Sequence, residues 1–171
     1  MTAAPVIETE RLVLRPHRME DFPPFAAFYA SEGARFIGGP MDDRRSWHVF
    51  AGDVGGWELM GFGGWAIEEK ASRAFAGQVA LSKPPHFPER EIGWLLMPGF
   101  ERRGYATEGA RAVRAYAYGE LGWDTGVSYV DPGNERSIAV ARRLGCAEDP
   151  VALPMDEGDI VFRHPVPEAR A

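Results

Sequence analysis

The sequence predicts an α+β fold: a mainly antiparallel, mixed central sheet of about six or seven strands flanked by about four helices. Two observations carry this. Strand-length apolar stretches at residues 62–68, 75–81 and 91–97 follow one another with only turn or loop residues between. Segments with helical spacing interrupt the series. The longest, residues 107–121, separates two strand-like stretches and lets them run parallel.

Taken in order, residues 9–15 (Thr-Glu-Arg-Leu-Val-Leu-Arg) alternate polar and apolar and predict a first strand, which Pro16 ends. Asp21 is placed to cap a helix over residues 22–31, with Pro23 tolerated in the first turn. Phe22, Phe25, Phe28 and Tyr29 recur there at helical spacing. Asp42 and Asp43 open a second helix through Trp47 and Phe50, and Gly52, Gly55 and Gly56 are expected to break or end it. Glu69-Lys70-Ala71-Ser72 reads as the turn between the strands at 62–68 and 75–81, and the proline-rich residues 83–88 as a loop. After the helix at 107–121 comes a strand at 126–130. Asn134 begins a last helix that Gly145 ends. Short strands near 151–153 and 159–163 complete the domain, expected to be single over residues 1–171 with a core at about 6–165.

Composition narrows the function classes. The chain has 171 residues, 45% of them hydrophobic, enough for a packed core. A formal net charge of −6 without a basic stripe argues against a nucleic-acid binder and leaves room for a cationic partner. No apolar run reaches membrane-spanning length, and the first residues lack a signal-peptide pattern. Cys146 is the only cysteine, so no internal disulfide forms, which fits the cytoplasm. A monomer or a homodimer is expected.

The most informative stretch is Arg102-Arg103-Gly104-Tyr105-Ala106-Thr107-Glu108, which follows an apolar strand and a Pro98-Gly99 turn and opens the long helix. The first N–H groups of a helix lack intrahelical partners, and the helix dipole places partial positive charge there. Gly104 permits close backbone approach, Ala106 is nearly as small, and two guanidinium groups stand beside them. A diphosphate suits such a cradle.

Residues 91–108 resemble the acetyl-CoA-binding motif of the GNAT superfamily of N-acetyltransferases: Gln or Arg, two residues, Gly, one residue, then Gly or Ala. Gly104 and Ala106 match. Glu101 stands where the family has Gln or Arg, and Arg102 where it usually has Gly. Residues 9–15 and Asn134-Glu135-Arg136-Ser137, followed by Arg143-Leu144-Gly145, resemble the RimJ/RimL-like branch, with Cys146 in place of its usual Phe. The three stretches are correctly ordered and span residues 9–146.

The resemblance implies the acyl-CoA N-acyltransferase fold, with splayed parallel strands at the cofactor cleft and a bulge near Met97 that parts them. It implies acetyl-CoA as co-substrate and a primary amine, a protein N-terminus or a small molecule, as acceptor, with direct attack and no acyl-enzyme. The pantetheine arm would pair with Trp94, Leu95 and Leu96, and the diphosphate with N–H groups of Arg102, Arg103, Gly104, Tyr105, Ala106 and Thr107. An N–H near Leu95 or Leu96 would polarise the acetyl carbonyl.

This chemistry needs a base for the amine, donors for the developing oxyanion, and a proton or hydrogen bond for the thiolate. Glu91, at the start of the cleft-bordering strand, is the candidate base or water-relayed base; Glu89 is the alternative, and either can equally be a solvated strand-end carboxylate. Ser137 is the candidate thiolate partner, or a first-turn residue bonding the backbone. Asn134 can cap its helix, contact the cofactor, or do both. No metal site is expected: His17, His48, His86 and His164 lack ligand spacing. Gly61-Phe62-Gly63-Gly64-Trp65-Ala66 matches a dinucleotide fingerprint formally but precedes a strand instead of a helix. A CoA-binding sensor of the same fold without turnover, and transfer of longer acyl groups, remain as alternatives.

Overall fold

The computed structural model describes residues 3–167. Eight strands form its sheet: β1 (Ile7–Glu8), β2 (Leu12–Arg15), β3 (Gly64–Glu69), β4 (Phe75–Ser82), β5 (Glu91–Leu96), β6 (Val127–Val130), β7 (Ala147–Glu148) and β8 (Ile160–Arg163). Their order is β1-β2-β3-β4-β5-β6-β8-β7. Every neighbouring pair is antiparallel except β5–β6, which is parallel because a helix connects the two. The α-helices are α1 (Phe22–Tyr29), α2 (Asp43–Met60), α3 (Tyr105–Gly119) and α4 (Glu135–Arg143).

The extra strand arises because residues 9–15 are two strands rather than one. The Thr9 N–H donates to the Leu12 carbonyl at 3.0 Å, closing a tight turn between β1 and β2. Residues 151–153 are not a strand: Val151 and Leu153 are 90% and 71% exposed on a loop, and pairing with β8 falls instead to Ala147 and Glu148.

Two helix signals also resolve differently. Asp21 does not cap α1. Its side chain makes no capping bond and instead holds the buried Arg15 guanidinium through two 2.8 Å hydrogen bonds. The glycines of α2 do not stop it. Asp42 caps the helix through the Arg45 N–H, and the chain stays helical until Gly61, whose φ of +78 ends it. Ser46, Phe50, Gly56 and Trp57 lie on its buried side, so tertiary packing overrides the weak propensity of Gly52, Gly55 and Gly56. Helix α3 begins two residues earlier than expected, at Tyr105.

Alternation sends successive residues of β5 to opposite faces. Ile92, Trp94 and Leu96 meet Leu12, Leu14, Ile67, Val79 and Leu81 and the α3 residues Ala110 and Val113. Leu95 and Met97 meet Phe25, Tyr29 and Phe50 from α1 and α2. Strand β5 carries no bulge, because its register with β4 is continuous from Glu91 to Leu96. The register shift lies between β3 and β4. Glu68 pairs with Phe75 and Ile67 with Gly77, so Ala76 is the inserted residue.

Beneath the sheet end nearest α1, Arg15 also donates to Glu68 at 2.7 Å, with Arg15, Asp21 and Glu68 side chains 8%, 3% and 3% exposed. Burial alone would raise the Asp21 carboxyl, but hydrogen bonds from the Arg15 guanidinium and the Arg18 N–H hold it well below the ordinary carboxylate range. Its contribution to stability is therefore complete above about pH 4 and is lost on acidification. Arg15→Ala would leave the buried Asp21 carboxylate without its guanidinium, and Glu68 with only the exposed Arg73 and Arg18. We expect urea unfolding to show a loss of about 3–5 kcal/mol at neutral pH.

Candidate active site

Strands β5 and β6 meet at one position, Glu91 opposite Val127, and then part. Past that point β5 stays paired to β4, and β6 to β8, so their facing edges carry no ladder. The Val127 N–H donates to the Arg90 carbonyl, and the Met97 N–H to Ala76 on β4. That alternation puts the N–H and C=O groups of Trp94 and Leu96 on the open edge and those of Leu95 in the β4 ladder. Leu95 therefore offers the cleft a side chain and not, as the sequence suggests, a free backbone group.

The open edge leads into a cleft of about 1020 Å³ between the β5 end, the start of α3 and the start of α4. Trp94, Leu95, Leu96, Arg102, Arg103, Gly104, Tyr105, Ala106, Thr107, Asn134 and Ser137 all line it. At its floor the chain turns through Gly104, with φ of +82, into α3. A side chain on Gly104 would be strained there and would come within 3.3 Å of Arg11. The first intrahelical bond runs from the Glu108 N–H to the Gly104 carbonyl at 3.0 Å. The N–H groups of residues 105–107 have no partner among the described residues, and neither does the buried Thr107 Oγ1. Orphaned donors behind a glycine, with helix-dipole charge added, fit an anionic group such as a diphosphate.

The loop's shape is fixed by side chains behind it. Arg11 donates to the Arg103 carbonyl at 2.8 Å and to Glu108 Oε2 at 2.8 Å, while Glu108 Oε1 accepts the Thr9 hydroxyl and the Arg11 N–H. Arg103 reaches Glu69 at 3.0 Å, and the Tyr105 hydroxyl donates to the same Glu69 oxygen at 2.5 Å. Arg103 and Tyr105 thus spend their polar ends on the protein and face the cleft with backbone, whereas the Arg102 guanidinium has no protein partner among the described residues. Glu101, at the position where the GNAT motif has Gln or Arg, accepts the Gly99 N–H at 2.7 Å and closes its own turn. Asn134 caps α4 by accepting the Ser137 N–H at 3.2 Å, and the Ser137 hydroxyl has no partner among the described residues.

Glu91 and Glu89 separate in role. Arg163 grips Glu89 through two hydrogen bonds of 2.9 and 2.8 Å, which makes it a structural anchor and not a free base. Glu91 is not among the cleft-lining residues; it lies half-buried at the fork, on the β5 face that carries Leu95 and opposite the one that carries Trp94 and Leu96. Burial, and then the charge of Asp53 on α2, push its carboxyl up to about 7, although it accepts the Tyr129 N–H. Asp53 itself is pushed up to about 6 by burial, against a 2.8 Å hydrogen bond from Gln78. Gly93 presents no side chain beside the Glu91 carboxyl, where a Cβ would stand 3.8 Å away.

Residues 11–147 match the family model described as an acetyltransferase (GNAT) domain. The chain belongs to this GNAT acetyltransferase family. An acetyltransferase of known structure from Agrobacterium tumefaciens is 43% identical, covers 95% of each chain and superposes with a TM-score of 0.91. YkkB of Bacillus subtilis is 33% identical over 84 residues, a match that spans about half of each protein, at 47% and 48%. A RimL structure, a ribosomal L7/L12 alpha-N-protein acetyltransferase in complex with coenzyme A, shares the fold at 18% identity, with a TM-score of 0.71 and 95% and 98% of the two chains covered.

In this GNAT chain, sequence reasoning missed four contributors. Arg111 and Arg143 also line the cleft, one helical turn past Thr107 and at the end of α4. Glu108 was read only as part of the loop, though a carboxylate in the first turn of a helix signals capping or loop anchoring. Asp53 was hidden by the expected helix break; Ser46, Phe50, Asp53 and Trp57 follow helical spacing and carried the signal. Removing the Asp53 charge should relax its neighbour. We expect Asp53→Asn to lower the apparent pKa of Glu91 from about 7, read by carboxyl NMR titration.

Proposed function

We propose that the chain transfers an acetyl group from acetyl-CoA to a primary amine, on a protein N-terminus or a small molecule, by direct attack. The observation that carries this reading is the meeting, in one cleft, of two sets of unbonded main-chain groups: the open β5 edge and the amides that begin α3. An elongated ligand with an amide-bearing arm and a diphosphate would satisfy both. The coenzyme A bound by RimL, a protein of the same fold, is such a ligand.

The residues divide the work as follows. The N–H groups of residues 105–107 and the Thr107 hydroxyl hold the diphosphate, and Arg102, Arg111 and Arg143 surround the phosphates with positive charge. The edge groups of Trp94 and Leu96 align the arm as an added strand would. The Leu96 N–H faces the position of the thioester carbonyl and stabilises negative charge developing on its oxygen. Ser137 supplies a hydroxyl proton to the departing sulfur, and Asn134 orients Ser137 by capping its helix. Acetyl-CoA supplies the activated acyl group.

Glu91 takes a proton from the acceptor's ammonium, through water past the bare Gly93, and the neutral amine so formed attacks the thioester carbon. A carboxyl at about 7 is partly ionised at neutral pH and close in affinity to the proton it must accept. Because burial disfavours its charged form, it becomes available as pH rises. The rate kcat/KM is therefore expected to climb through pH 7 towards a plateau. Glu91→Gln should remove that limb and lower the plateau by about a hundredfold, as measured by thiol release with excess amine. A retained limb would assign the base elsewhere.

Gly104→Asp tests the cradle. It forces a side chain into a left-handed backbone and places a negative charge beside the phosphates. Titration calorimetry is expected to show acetyl-CoA affinity falling by at least about tenfold.

A further inference from the structure

The parting of β5 and β6 needs a cause, because parallel strands in register tend to continue their ladder. The bond that would follow the Glu91–Val127 pair runs from the Tyr129 N–H to the Ile92 carbonyl. Neither group is available for it. The Ser128 hydroxyl donates to the Ile92 carbonyl at 2.5 Å, and the Tyr129 N–H lies toward the Glu91 carboxylate, whose ionised form it favours. Two side chains have replaced one ladder bond at the point where the strands separate.

Ser128 is held in this position from behind. His164 Nε2 lies 2.9 Å from its oxygen, and both residues are 2% exposed. The hydroxyl has one proton, already given to Ile92, so His164 must donate from Nε2 and leave Nδ1 bare. The absence of any partner for His164 Nδ1 agrees with that tautomer. Burial pushes the ring down to about 3, so it stays neutral and keeps one tautomer across the working range. The His164 N–H also donates to the Gly126 carbonyl at 2.9 Å, fixing the ring's backbone against the start of β6.

We propose that Ser128, backed by His164, is a positioning residue that ends the β5–β6 ladder after one pair and thereby opens the acyl-CoA cleft. This rests on the acetyltransferase reading above, since the opened edge matters only if the coenzyme arm occupies it. Without the hydroxyl, the Ile92 carbonyl is a buried acceptor with one donor in reach, the Tyr129 N–H. The strands close by one bond, and the edge groups of Trp94 are drawn towards β6.

The test is acetyl-CoA titration calorimetry on the full chain with Ser128→Ala, Ser128→Cys and Ser128→Thr, alongside thermal melts. Loss of the hydroxyl in Ser128→Ala should raise Kd about tenfold, with the weaker donor of Ser128→Cys intermediate and Ser128→Thr close to wild type. The Cys variant keeps the comparison available if the Ala variant does not fold. A merely structural role would lower the melting temperature in Ser128→Ala and Ser128→Cys yet leave Kd unchanged, and that result overturns the inference while the acetyltransferase reading stands. A wild-type chain that binds no acetyl-CoA defeats that reading, and this inference with it.

Discussion

The site depends on one constraint: every main-chain N–H and C=O that the fold buries must find a partner. A sheet of eight strands satisfies nearly all of them by pairing strand to strand. Two neighbours in that sheet, β5 and β6, leave each other after one pair. The edge so released is rigid because each strand remains bonded on its far side, β5 to β4 and β6 to β8. Rigid, unbonded backbone beside a cavity binds a ligand without first breaking internal hydrogen bonds. The same holds for the start of α3, where amides face the cleft without a capping side chain. Pre-organisation of this kind favours affinity because little order remains to be imposed on binding.

The cradle keeps its shape through charges that never touch the cleft. Glu108 stands in the first turn of α3, where the helix dipole favours an anion, and binds the β1–β2 turn through Thr9 and Arg11. Glu69, at the end of β3, holds Arg103 and Tyr105 on the loop's other flank. The two carboxylates occupy the guanidinium and hydroxyl groups that a reading of the loop alone would assign to phosphate. On the proposed reading, phosphate binding would fall to backbone and to Arg102, Arg111 and Arg143, which reach the cleft from three different segments. Under that reading Glu101 can stand in place of a Gln or Arg, because it closes the Gly99 turn and the cation would come from elsewhere.

The sequence made the architecture legible where periodicity and punctuation agree. The strands at 64–69, 75–82 and 91–96 are apolar stretches of strand length bounded by turn residues, and the Gly104 turn precedes a helix with a continuous apolar face. It was illegible where a local signal competed with a distant partner. Asp21 has every attribute of a helix cap, but Arg15 lies opposite it in the fold and takes both oxygens. Gly52, Gly55 and Gly56 argue for a break, yet burial of Phe50 and Trp57 on one side keeps α2 intact. The fork had no sequence signal of its own. A bulge in β5 would have been the simplest way to part the strands, and the structure reaches the same end with Ser128 and Glu91, residues 37 positions apart by their numbering.

On the proposed mechanism Glu91 would join two functions in one side chain. Its carboxylate takes the Tyr129 N–H that the ladder gave up, and the same burial that makes this bond necessary also raises its proton affinity. The two effects oppose each other: the backbone donor favours the ionised form, while burial and Asp53 favour the protonated one. Burial wins, leaving the group poised near neutrality instead of fully ionised. Helix α2 brings Asp53 to the Glu91 side of β5, where Tyr29 is also raised by burial and by the charges of Asp53 and Glu91. Negative charge therefore gathers on one side of the fork, and arginines gather around the cleft on the other. If the proposed reaction holds, a cationic amine would be drawn to the Asp53–Glu91 side and a polyanionic coenzyme to the arginines around the cleft, which would keep each from competing for the other's place until they meet at the open edge.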